Sequence, residues 1–463
     1  MGAGGSGDSA SSINGSTAEG AASGLQAEDV AKIEAYMRHL SEQKIPFIRK
    51  AIDLKRAIDI FNSSDRQDLY NAIKERGKPY VIFYDFDGLL DYFYGYMAPH
   101  SGYIDKFSLI YHPPGLVAVH PTKTSPGKIP SFKQLPKLMA IFSEYSGWGK
   151  ILGVENVGAL NELVGNSEGS DLIRIAEALQ EKKIAQIADM ITGNSCCKRI
   201  VFISGPSSSG KTTFANRLSI QLRVNGFKTH AISMDDYFLN RGDTPLDENG
   251  EYDFESPKAL DIDLFVTQMR SLAAGETVDI PVYSFIKGMR ESYTRTVKAD
   301  DNHIIIVEGI HGLNTMITSH IHKVDRFKIY ISALTALNID DHNRIPTTDT
   351  RLIRRIVRDN QFRGSTALDT IKRWPSVRMG EKKYIFPYQE TCDIMFNSAL
   401  IYELGILRAY AMPLLKKIRP DCMQYPEANR LVKFLSCFAK IDSTDVPQNS
   451  ILREFIGGSC FNV

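Results

Sequence analysis

The segment at residues 205–212 reads Gly-Pro-Ser-Ser-Ser-Gly-Lys-Thr and fits the pattern G-x-x-x-x-G-K-[ST] of a phosphate-binding loop. An apolar strand is predicted before it and an amphipathic helix after it, which is the context that such a loop needs. Backbone N–H groups and the helix N-terminus would hold the phosphates of ATP, Lys211 would supply a mobile cation, and the Thr212 hydroxyl would bind Mg²⁺. The alternative is a Gly/Ser-rich turn that matches by chance. The residues predicted to bind the nucleotide are Gly205, Pro206, Ser207, Ser208, Ser209, Gly210, Lys211, Thr212 and Thr213.

Two acidic residues stand where strands of the predicted sheet end. Glu308 closes the apolar run 303–308, and at the carboxyl edge of a sheet it would face the metal through water. Asp235 is the first acid after the strand predicted over 229–234, and we expect it to act as the general base for an attacking hydroxyl group. Two alternatives stay open: Glu308 as an ordinary acid at a strand end, and Asp236 as the base or as a cap.

Arginines recur on one predicted helix at the spacing i, i+3, i+4 and i+7, which places them on a single face. They are Arg351, Arg354, Arg355 and Arg358, with only Asp359 as an acid in the run. Such a cluster is typical of a phosphate clamp, and we expect Arg351 and Arg354 to act in catalysis as part of a lid over the γ-phosphate. A solvated charged face is the alternative.

Strands and helices alternate after residue 198. Strands are predicted at 199–204, 229–234, 303–308, 327–332 and 393–397, and helices at 212–225, 257–272, 351–359 and 402–418. Upstream, the pattern predicts a helix over 27–43, a strand over 79–85 and a helix-forming segment over 158–191. Buried strands separated by helices indicate a parallel sheet that is covered on both faces. The predicted fold class is α/β, a P-loop NTPase parallel sheet with helices on both faces, preceded by a smaller α+β domain.

The chain is predicted to consist of five ranges. They are a disordered tail (1–25), an α+β domain (26–150), a helical linker (151–197), a P-loop kinase domain (198–420) and a C-terminal helical extension (421–463). In the tail, 18 of 25 residues are Gly, Ser or Ala, so too little apolar surface is present to offset the entropy of ordering. Its first six residues fit the loose myristoylation pattern, but no Lys or Arg precedes Lys32 to supply a second, polybasic signal.

The composition of the 463 residues excludes several classes of protein. Lys plus Arg is 55 and Asp plus Glu is 54, a balance that argues against a chain built to coat nucleic acid. No apolar run reaches the roughly 18 residues that a membrane span needs, and no secretory signal is visible. Six scattered cysteines form no C-x-x-C pair, so neither zinc nor a disulfide framework is indicated. We expect a cytoplasmic protein, and the sequence leaves homo-oligomerisation open.

Several blocks of the sequence resemble uridine kinases of the phosphoribulokinase/uridine kinase family. The blocks are residues 205–213, Asp235, 252–257 (Tyr-Asp-Phe-Glu-Ser-Pro), 281–285 (Pro-Val-Tyr-Ser-Phe), 306–309 (Ile-Val-Glu-Gly) and 351–355 (Arg-Leu-Ile-Arg-Arg). The longer blocks 338–350, 374–378, 385–389 and 451–458 look closer to a bacterial-type subgroup of nucleoside kinases. The resemblance implies ATP- and Mg²⁺-dependent phosphoryl transfer to the 5′-hydroxyl of a ribonucleoside, uridine or cytidine, as in pyrimidine salvage. The alternatives are another small hydroxyl acceptor, or a non-catalytic ATP-binding regulatory or RNA-associated protein.

Members of that subgroup carry, ahead of the kinase, a region similar to the editing-side domains of threonyl-tRNA synthetases. Residues 91–95 (Asp-Tyr-Phe-Tyr-Gly) and 101–103 (Ser-Gly-Tyr) look like part of it. None of the ten histidines stands four residues from another, so the H-x-x-x-H metal motif of the synthetases is missing. Editing activity is therefore not expected.

Aromatic residues downstream of the loop would form the wall of a pocket for a planar base, although each one taken alone is more often a core residue. The residues predicted to bind the acceptor are Tyr237, Phe254, Glu255, Tyr283 and Phe285.

The base-reading residues depart from the uridine kinase pattern. Uridine kinases have a His where Gly288 stands, which contacts the base, and an Asp where Glu255 stands, which binds the ribose hydroxyls. The phosphoryl-transfer residues agree with the family, so the departure concerns the choice of acceptor. We therefore expect the base to be read only weakly, and strict selection of one pyrimidine would indicate that Lys287 or Arg290 supplies the missing contact.

Overall fold

A computed structural model describes residues 25–63, 69–70, 79–93, 96–122, 125–193, 199–247, 250–284, 287–323, 325–341 and 343–462. Residues 1–24 of the predicted tail and Phe285 of the predicted acceptor pocket lie outside these ranges. The chain divides into two compact units, one comprising Met1–Ala51 and Ile82–Gln134 and the other comprising Ile52–Val81 and Leu135–Val463.

The smaller unit combines a helix with antiparallel strands. Its elements are α1 (Ala27–Gln43), β1 (Phe47–Asp53), β2 (Tyr80–Phe86), β3 (Leu89–Tyr92), β4 (Ser108–His112) and β5 (Gly115–Val119), with β1 and β2 each crossing a unit boundary. The predicted helix over 27–43 is confirmed, and it packs Val30 against Phe107 and Leu109 at the start of the β4–β5 hairpin. Glu34 of α1 accepts the Leu109 N–H at 2.8 Å, which joins helix to hairpin by a charge-assisted bond. A smaller α+β unit thus precedes the main sheet, as predicted.

The larger unit is built on a five-stranded parallel sheet in the order β14–β13–β6–β12–β7. The strands of this sheet are β6 (Ile200–Ser204), β7 (Lys228–Ser233), β12 (His303–Glu308), β13 (Arg326–Ser332) and β14 (Ile394–Asn397). Short antiparallel pairs β8 (Thr277–Ile280) with β11 (Arg295–Lys298) and β9 (Tyr283–Ser284) with β10 (Met289–Arg290) stand outside it. The predicted parallel α/β sheet is confirmed.

The larger unit also contains the remaining helices. They are α2 (Leu54–Ser63), α3 (Pro136–Ile151), α4 (Val157–Gly165), α5 (Gly169–Thr192), α6 (Lys211–Val224), α7 (Ile262–Ala273), α8 (Thr315–Thr318), α9 (Thr347–Phe362), α10 (Ala367–Tyr384), α11 (Glu403–Leu415), α12 (Tyr425–Leu435) and α13 (Arg453–Ile456). Among the residues that the structure describes, no helix is long and apolar enough to cross a membrane.

The alternation of side chains along β12 explains why both faces need helices. Ile305 and Val307 join the apolar core that contains Phe265 of α7, whereas Ile304 and Ile306 are equally buried and point to the opposite face. A strand with no polar face cannot border water, so helices cover it on both sides.

Two predicted helices differ in their bounds. The segment predicted over 158–191 forms two helices, because the chain turns between α4 and α5 at Ser167, whose φ is +66°. The helix predicted over 257–272 is a short 3-10 turn at Pro257–Ala259 followed by α7, since Asp261 accepts the Leu264 N–H and thereby starts a new helix.

Gly205 marks the point where the predicted phosphate loop leaves the sheet. A Cβ atom there would lie 1.9 Å from the backbone oxygen of Ile331 in the neighbouring strand β13. Only a residue without a side chain lets the loop start this close to the sheet.

We predict that Gly205→Ala lowers the free energy of unfolding by at least about 2 kcal/mol, because a backbone atom cannot yield as a side chain would. Gly242→Ala is the matched control, since no atom lies within 4 Å of a Cβ at that position. Urea unfolding of both variants measures the effect. Equal stability of the two variants would contradict the close approach.

Candidate active site

The loop at residues 205–210 carries a pair of buried hydroxyl groups that have no partner. The Oγ atoms of Ser208 and Ser209 make no hydrogen bond, and both residues are at most 2% exposed. Ser208 and Gly210 have φ angles of +59° and +81°, the left-handed conformation that turns successive N–H groups into one concavity. Buried donors without partners carry a free-energy cost that an anion with several oxygens would remove. The loop therefore fits a phosphate chain.

Two buried arginines of α9 contact the backbone of this loop. Arg351 donates from Nε to the Ser207 carbonyl at 2.9 Å and forms a two-armed ion pair with Glu381. Glu381 in turn accepts the Ser207 N–H at 3.3 Å. Because Arg351 and Glu381 are both buried, their contacts with Ser207 brace this part of the loop against α9 and α10.

A second arginine repeats the arrangement one residue further along the loop. Arg354 is fully buried, pairs with Glu403 at 2.6 Å and donates to the Ser208 carbonyl at 3.4 Å. Its remaining N–H groups go to Ser398, at 2.8 Å to the carbonyl. The alternative of a solvated charged face is wrong, since Arg351 and Arg354 are 1% and 0% exposed. Their action on the γ-phosphate stays a prediction.

The other two arginines of the helix lie closer to the predicted catalytic groups. Arg355 donates to the Ser207 hydroxyl at 3.0 Å. The charge of Arg358 lowers the pKa of both Lys211 and Asp235, so it lies within electrostatic reach of them.

Lys211 and two carboxyl groups meet at the carboxyl edge of the sheet. The Ser233 hydroxyl donates to Glu308 at 3.0 Å and accepts the Asp235 N–H at 3.3 Å, so one side chain positions both acids. Burial raises the pKa of Glu308 to about 7, with the Asp235 charge adding to the rise and Lys211 opposing it. Burial likewise raises the pKa of Asp235, against the attraction of Lys211. Burial lowers the pKa of Lys211, and the carboxylates of Glu308 and Asp235 oppose that shift.

Asp236 makes its contacts outside the cluster of Lys211, Asp235 and Glu308. Its carboxylate accepts the Tyr283 N–H at 3.4 Å and lies 3.7 Å from Arg295. Asp235 is the acid that shares the cluster with Lys211, which favours it over Asp236 as the base.

The predicted acceptor residues do not all line one pocket. Phe254 and Tyr283 each lie near Phe238, with ring centroids 6.5 and 5.6 Å away, and both are partly exposed. Tyr237 corrects our expectation, because it is fully buried in the core: its hydroxyl donates to Gln268 and none of its surface reaches solvent.

Glu255 lies beside the loop. Burial raises its pKa to about 7, and the charges of Arg355 and Lys211 oppose the shift. Gly380 of α10 makes room for this side chain, since a Cβ there would come within 2.3 Å of the Glu255 Cβ.

The two residues named as possible replacements for the missing base contact, Lys287 and Arg290, both contact acidic side chains. Lys287 pairs with Glu291 at 2.7 Å. Arg290 donates to the carbonyls of Tyr237 and Phe238 and pairs with Asp261 at 3.2 Å. Lys287 is thus paired beside its own hairpin, and Arg290 ties the hairpin to Tyr237, Phe238 and Asp261.

The C-terminal segment contributes a carboxylate that sequence reasoning missed. Glu454 accepts both the N–H and the hydroxyl of Thr213, at 3.2 and 2.9 Å. This N–H belongs to the first turn of α6, where donors have no partner within the helix and bind anions. Glu454 lies in the block 451–458 that resembles the C-terminal end of the kinase subgroup, and that resemblance was the available signal.

Comparison with known proteins agrees with this geometry. Residues 200–401 match the family described as Phosphoribulokinase / Uridine kinase family. A uridine kinase of Borrelia duttonii (strain Ly) is 31% identical over 213 residues, which are 45% of this chain and 92% of that protein. A uridine kinase of Macrococcus caseolyticus (strain JCSC5402) is 29% identical over 197 residues, 42% of this chain and 86% of that protein.

A solved structure described as "a Possible Uridine Kinase" from Bacillus stearothermophilus aligns with 47% of this chain and 98% of its own, at 20% identity and a TM-score of 0.32. That score is too low to support an inference. The sequence matches suffice: the chain belongs to the phosphoribulokinase/uridine kinase family, a family of P-loop kinases. The matches lie in the C-terminal half, so they lend no support to the threonyl-tRNA-synthetase-like region predicted at 26–150.

We predict that Glu454→Gln tightens ATP binding about tenfold, because a carboxylate at a phosphate-binding N–H competes with the nucleotide and repels it. Calorimetric titration with ATP measures the dissociation constant, and the exposed Glu276→Gln is the control. Weaker binding by Glu454→Gln would mean that Glu454 supports the nucleotide site instead of competing for it.

We predict that kcat/KM for ATP rises with pH up to about 7 and then levels off. Below the raised pKa values of Glu308 and Asp235 these groups are protonated, so they neither attract a cation nor accept a proton. Asp236→Asn should keep this acid limb, since Asp236 faces Arg295. A profile that stays flat between about pH 5 and pH 8 would contradict the assignment.

Proposed function

We propose that this chain transfers the γ-phosphoryl group of ATP to the 5′-hydroxyl of a ribonucleoside, with uridine or cytidine as the preferred acceptor, in the cytoplasm and in pyrimidine salvage. The observation that carries the proposal is the meeting of Lys211, Asp235 and Glu308 beside a phosphate-binding loop. The family of the kinase domain supports the reaction class, and the two uridine kinase relatives support the acceptor.

The loop residues 205–213 would bind the phosphate chain through N–H groups and the free hydroxyls of Ser208 and Ser209. Lys211 would contact the transferred group. Burial lowers its pKa, and the carboxylates of Glu308, Asp235 and Glu454 oppose that shift and so favour the charged amine.

Asp235 would accept the proton of the attacking hydroxyl. The hydroxyl oxygen forms a bond to the γ-phosphorus, the bond from that phosphorus to the bridging oxygen breaks, and ADP leaves. Burial raises the pKa of Asp235, which brings a carboxylate closer to the basicity that proton transfer at neutral pH requires.

The site also offers ligands for Mg²⁺. The Thr212 hydroxyl and the Glu308 carboxylate are hard oxygen donors of the kind that this ion prefers, and we propose them as its protein ligands. When bound, the ion would neutralise charge on the phosphates. The raised pKa of Glu308 fits a group that is stabilised as an anion only when a cation stands beside it.

The division into a nucleoside kinase domain over 198–420, a preceding domain over 26–150, a linker over 151–197 and a C-terminal extension over 421–463 is likewise our proposal. Its strongest support is the family match, which begins at residue 200.

The decisive test incubates the purified full chain with Mg-ATP and uridine, cytidine, adenosine or inosine, and identifies the product by NMR. We expect a pyrimidine nucleoside 5′-monophosphate and ADP. Lys211→Ala should abolish the reaction, and Asp235→Asn should lower kcat by about 100-fold or more with ATP binding little changed. Asp236→Asn is the matched control and should stay close to wild type.

Two outcomes would overturn parts of the proposal. If ATP binds but no nucleoside is phosphorylated, the acceptor class is wrong. If Asp236→Asn shows the large loss and Asp235→Asn does not, the base is wrongly assigned.

A further inference from the structure

His311 is a buried histidine whose hydrogen-bonding capacity is not filled within the protein. It is 1% exposed, and neither ring nitrogen has a partner at normal hydrogen-bonding geometry. An interaction of one ring nitrogen with the Glu255 backbone raises the pKa, but burial dominates and lowers the pKa to about 4, so the ring is neutral at physiological pH. The other nitrogen is left without a partner in a buried place, which is costly, so the position fits a ligand.

The backbone around His311 is rigid. The turn after β12 is tied down by the Ser204 hydroxyl, which donates to the Ile310 carbonyl at 2.8 Å, and by Asn314 N–H, which donates to the His311 carbonyl at 2.9 Å. Gly312 packs against β6 closely enough that a Cβ would lie 3.2 Å from the Ile203 oxygen. The imidazole therefore has a fixed anchor, as a binding group needs.

The surroundings of the ring place it on the acceptor side of the site. The Tyr384 ring stands edge-on to His311 at 6.3 Å, and the Tyr384 hydroxyl donates to Asp253 at 3.2 Å. Asp253 also accepts the Glu255 N–H at 3.2 Å. The charge of Lys211 lowers the pKa of His311, which shows that the ring is within electrostatic reach of the phosphate loop.

The position of His311 indicates that it would contact the sugar of the acceptor. The reacting hydroxyl must approach Asp235 and Lys211, and in a nucleoside the ribose is the group directly attached to that hydroxyl. The aromatic rings of Phe238, Phe254 and Tyr283 form a separate cluster of edge-to-face and tilted contacts that suits a base. A neutral imidazole has one donor and one acceptor, which matches a hydroxyl group better than it matches an ion.

We propose that His311 hydrogen-bonds a secondary hydroxyl of the acceptor's ribose, next to Glu255. The enzyme would thereby select ribonucleosides over the deoxynucleoside that lacks this hydroxyl. This proposal rests on the proposed nucleoside kinase function. It assigns the selection to the turn after β12, whereas Lys287 and Arg290 of the hairpin are held in ion pairs.

The test compares kcat/KM for uridine, 2′-deoxyuridine and 3′-deoxyuridine in wild type, His311→Leu and His311→Asn. In wild type, kcat/KM for uridine should exceed that for the deoxy analogue lacking the contacted hydroxyl by about 100-fold. His311→Leu should lose about 100-fold on uridine but no more than about threefold on that analogue. His311→Asn, which keeps a donor and an acceptor, should recover part of the loss.

Controls separate binding from folding. His230→Leu replaces a partly buried histidine that stacks on His303 at 4.8 Å, and it should leave all three values unchanged. The melting temperature and the ATP dissociation constant of the His311 variants show whether the fold and the nucleotide site are intact.

Each outcome decides the proposal. The proposal is supported if kcat/KM falls for uridine and for the deoxy analogue that keeps the contacted hydroxyl, but not for the analogue that lacks it. An equal loss on all three substrates, or no loss, shows a structural role or none and overturns it while the kinase function stands. If wild type phosphorylates no nucleoside, the proposed function fails and the ribose assignment fails with it.

Discussion

The site depends on two buried arginine–glutamate pairs that hold the phosphate loop from outside. Arg351 with Glu381 and Arg354 with Glu403 bind the carbonyls of successive loop residues. In a planar trans peptide the carbonyl and the following N–H point in opposite directions, so fixing the carbonyls outward turns the N–H groups inward. Breaking a buried pair by removing one partner typically costs about 3–5 kcal/mol, which is why such a brace is rigid.

A second constraint is the balance of charge on the inner side of the loop. Lys211 faces the carboxyl groups of Asp235, Glu308 and Glu454, so acids outnumber the lysine around it. Burial raises the pKa of Glu308 and of Asp235, and the charge of Lys211 opposes both shifts. A bound cation would stabilise this cluster of acids, and burial shifts the pKa of Asp235, the proposed base, upward.

The region outside the family match completes the framework of this site. Glu177 of α5 accepts hydrogen bonds from the hydroxyls of Tyr402 and Ser450, at 2.6 and 2.5 Å. Ile451 lies against Gly210, close enough that a Cβ on the glycine would come within 2.4 Å of its side chain. The C-terminal segment is thus packed onto the phosphate loop by buried contacts, and Glu454 reaches Thr213 as a consequence. Residues far from the loop in sequence therefore set the conditions under which a nucleotide binds.

Much of the kinase fold was readable from the sequence because it rests on local patterns. The apolar run 303–308 and the loop 205–212 each carry their own periodicity or motif, and both predicted elements lie where the structure has them. From the sequence, Asp235 was preferred over Asp236 as the base only because it is the first acid after a predicted strand. The structure adds the reason, since Asp236 is engaged with Arg295.

Contacts between distant segments could not be predicted from the sequence. Spacing placed Arg351 and Arg354 on one helix face, but burial and the carboxylates that neutralise them depend on α10 and α11 packing against that face. Tyr237 reads as a pocket aromatic, yet Phe265 from α7 encloses it in the core. A helical or strand period reports which side of an element is apolar, whereas the partner on that side is chosen by the tertiary fold, and with it the charge and hydrogen bonding of every group at the site.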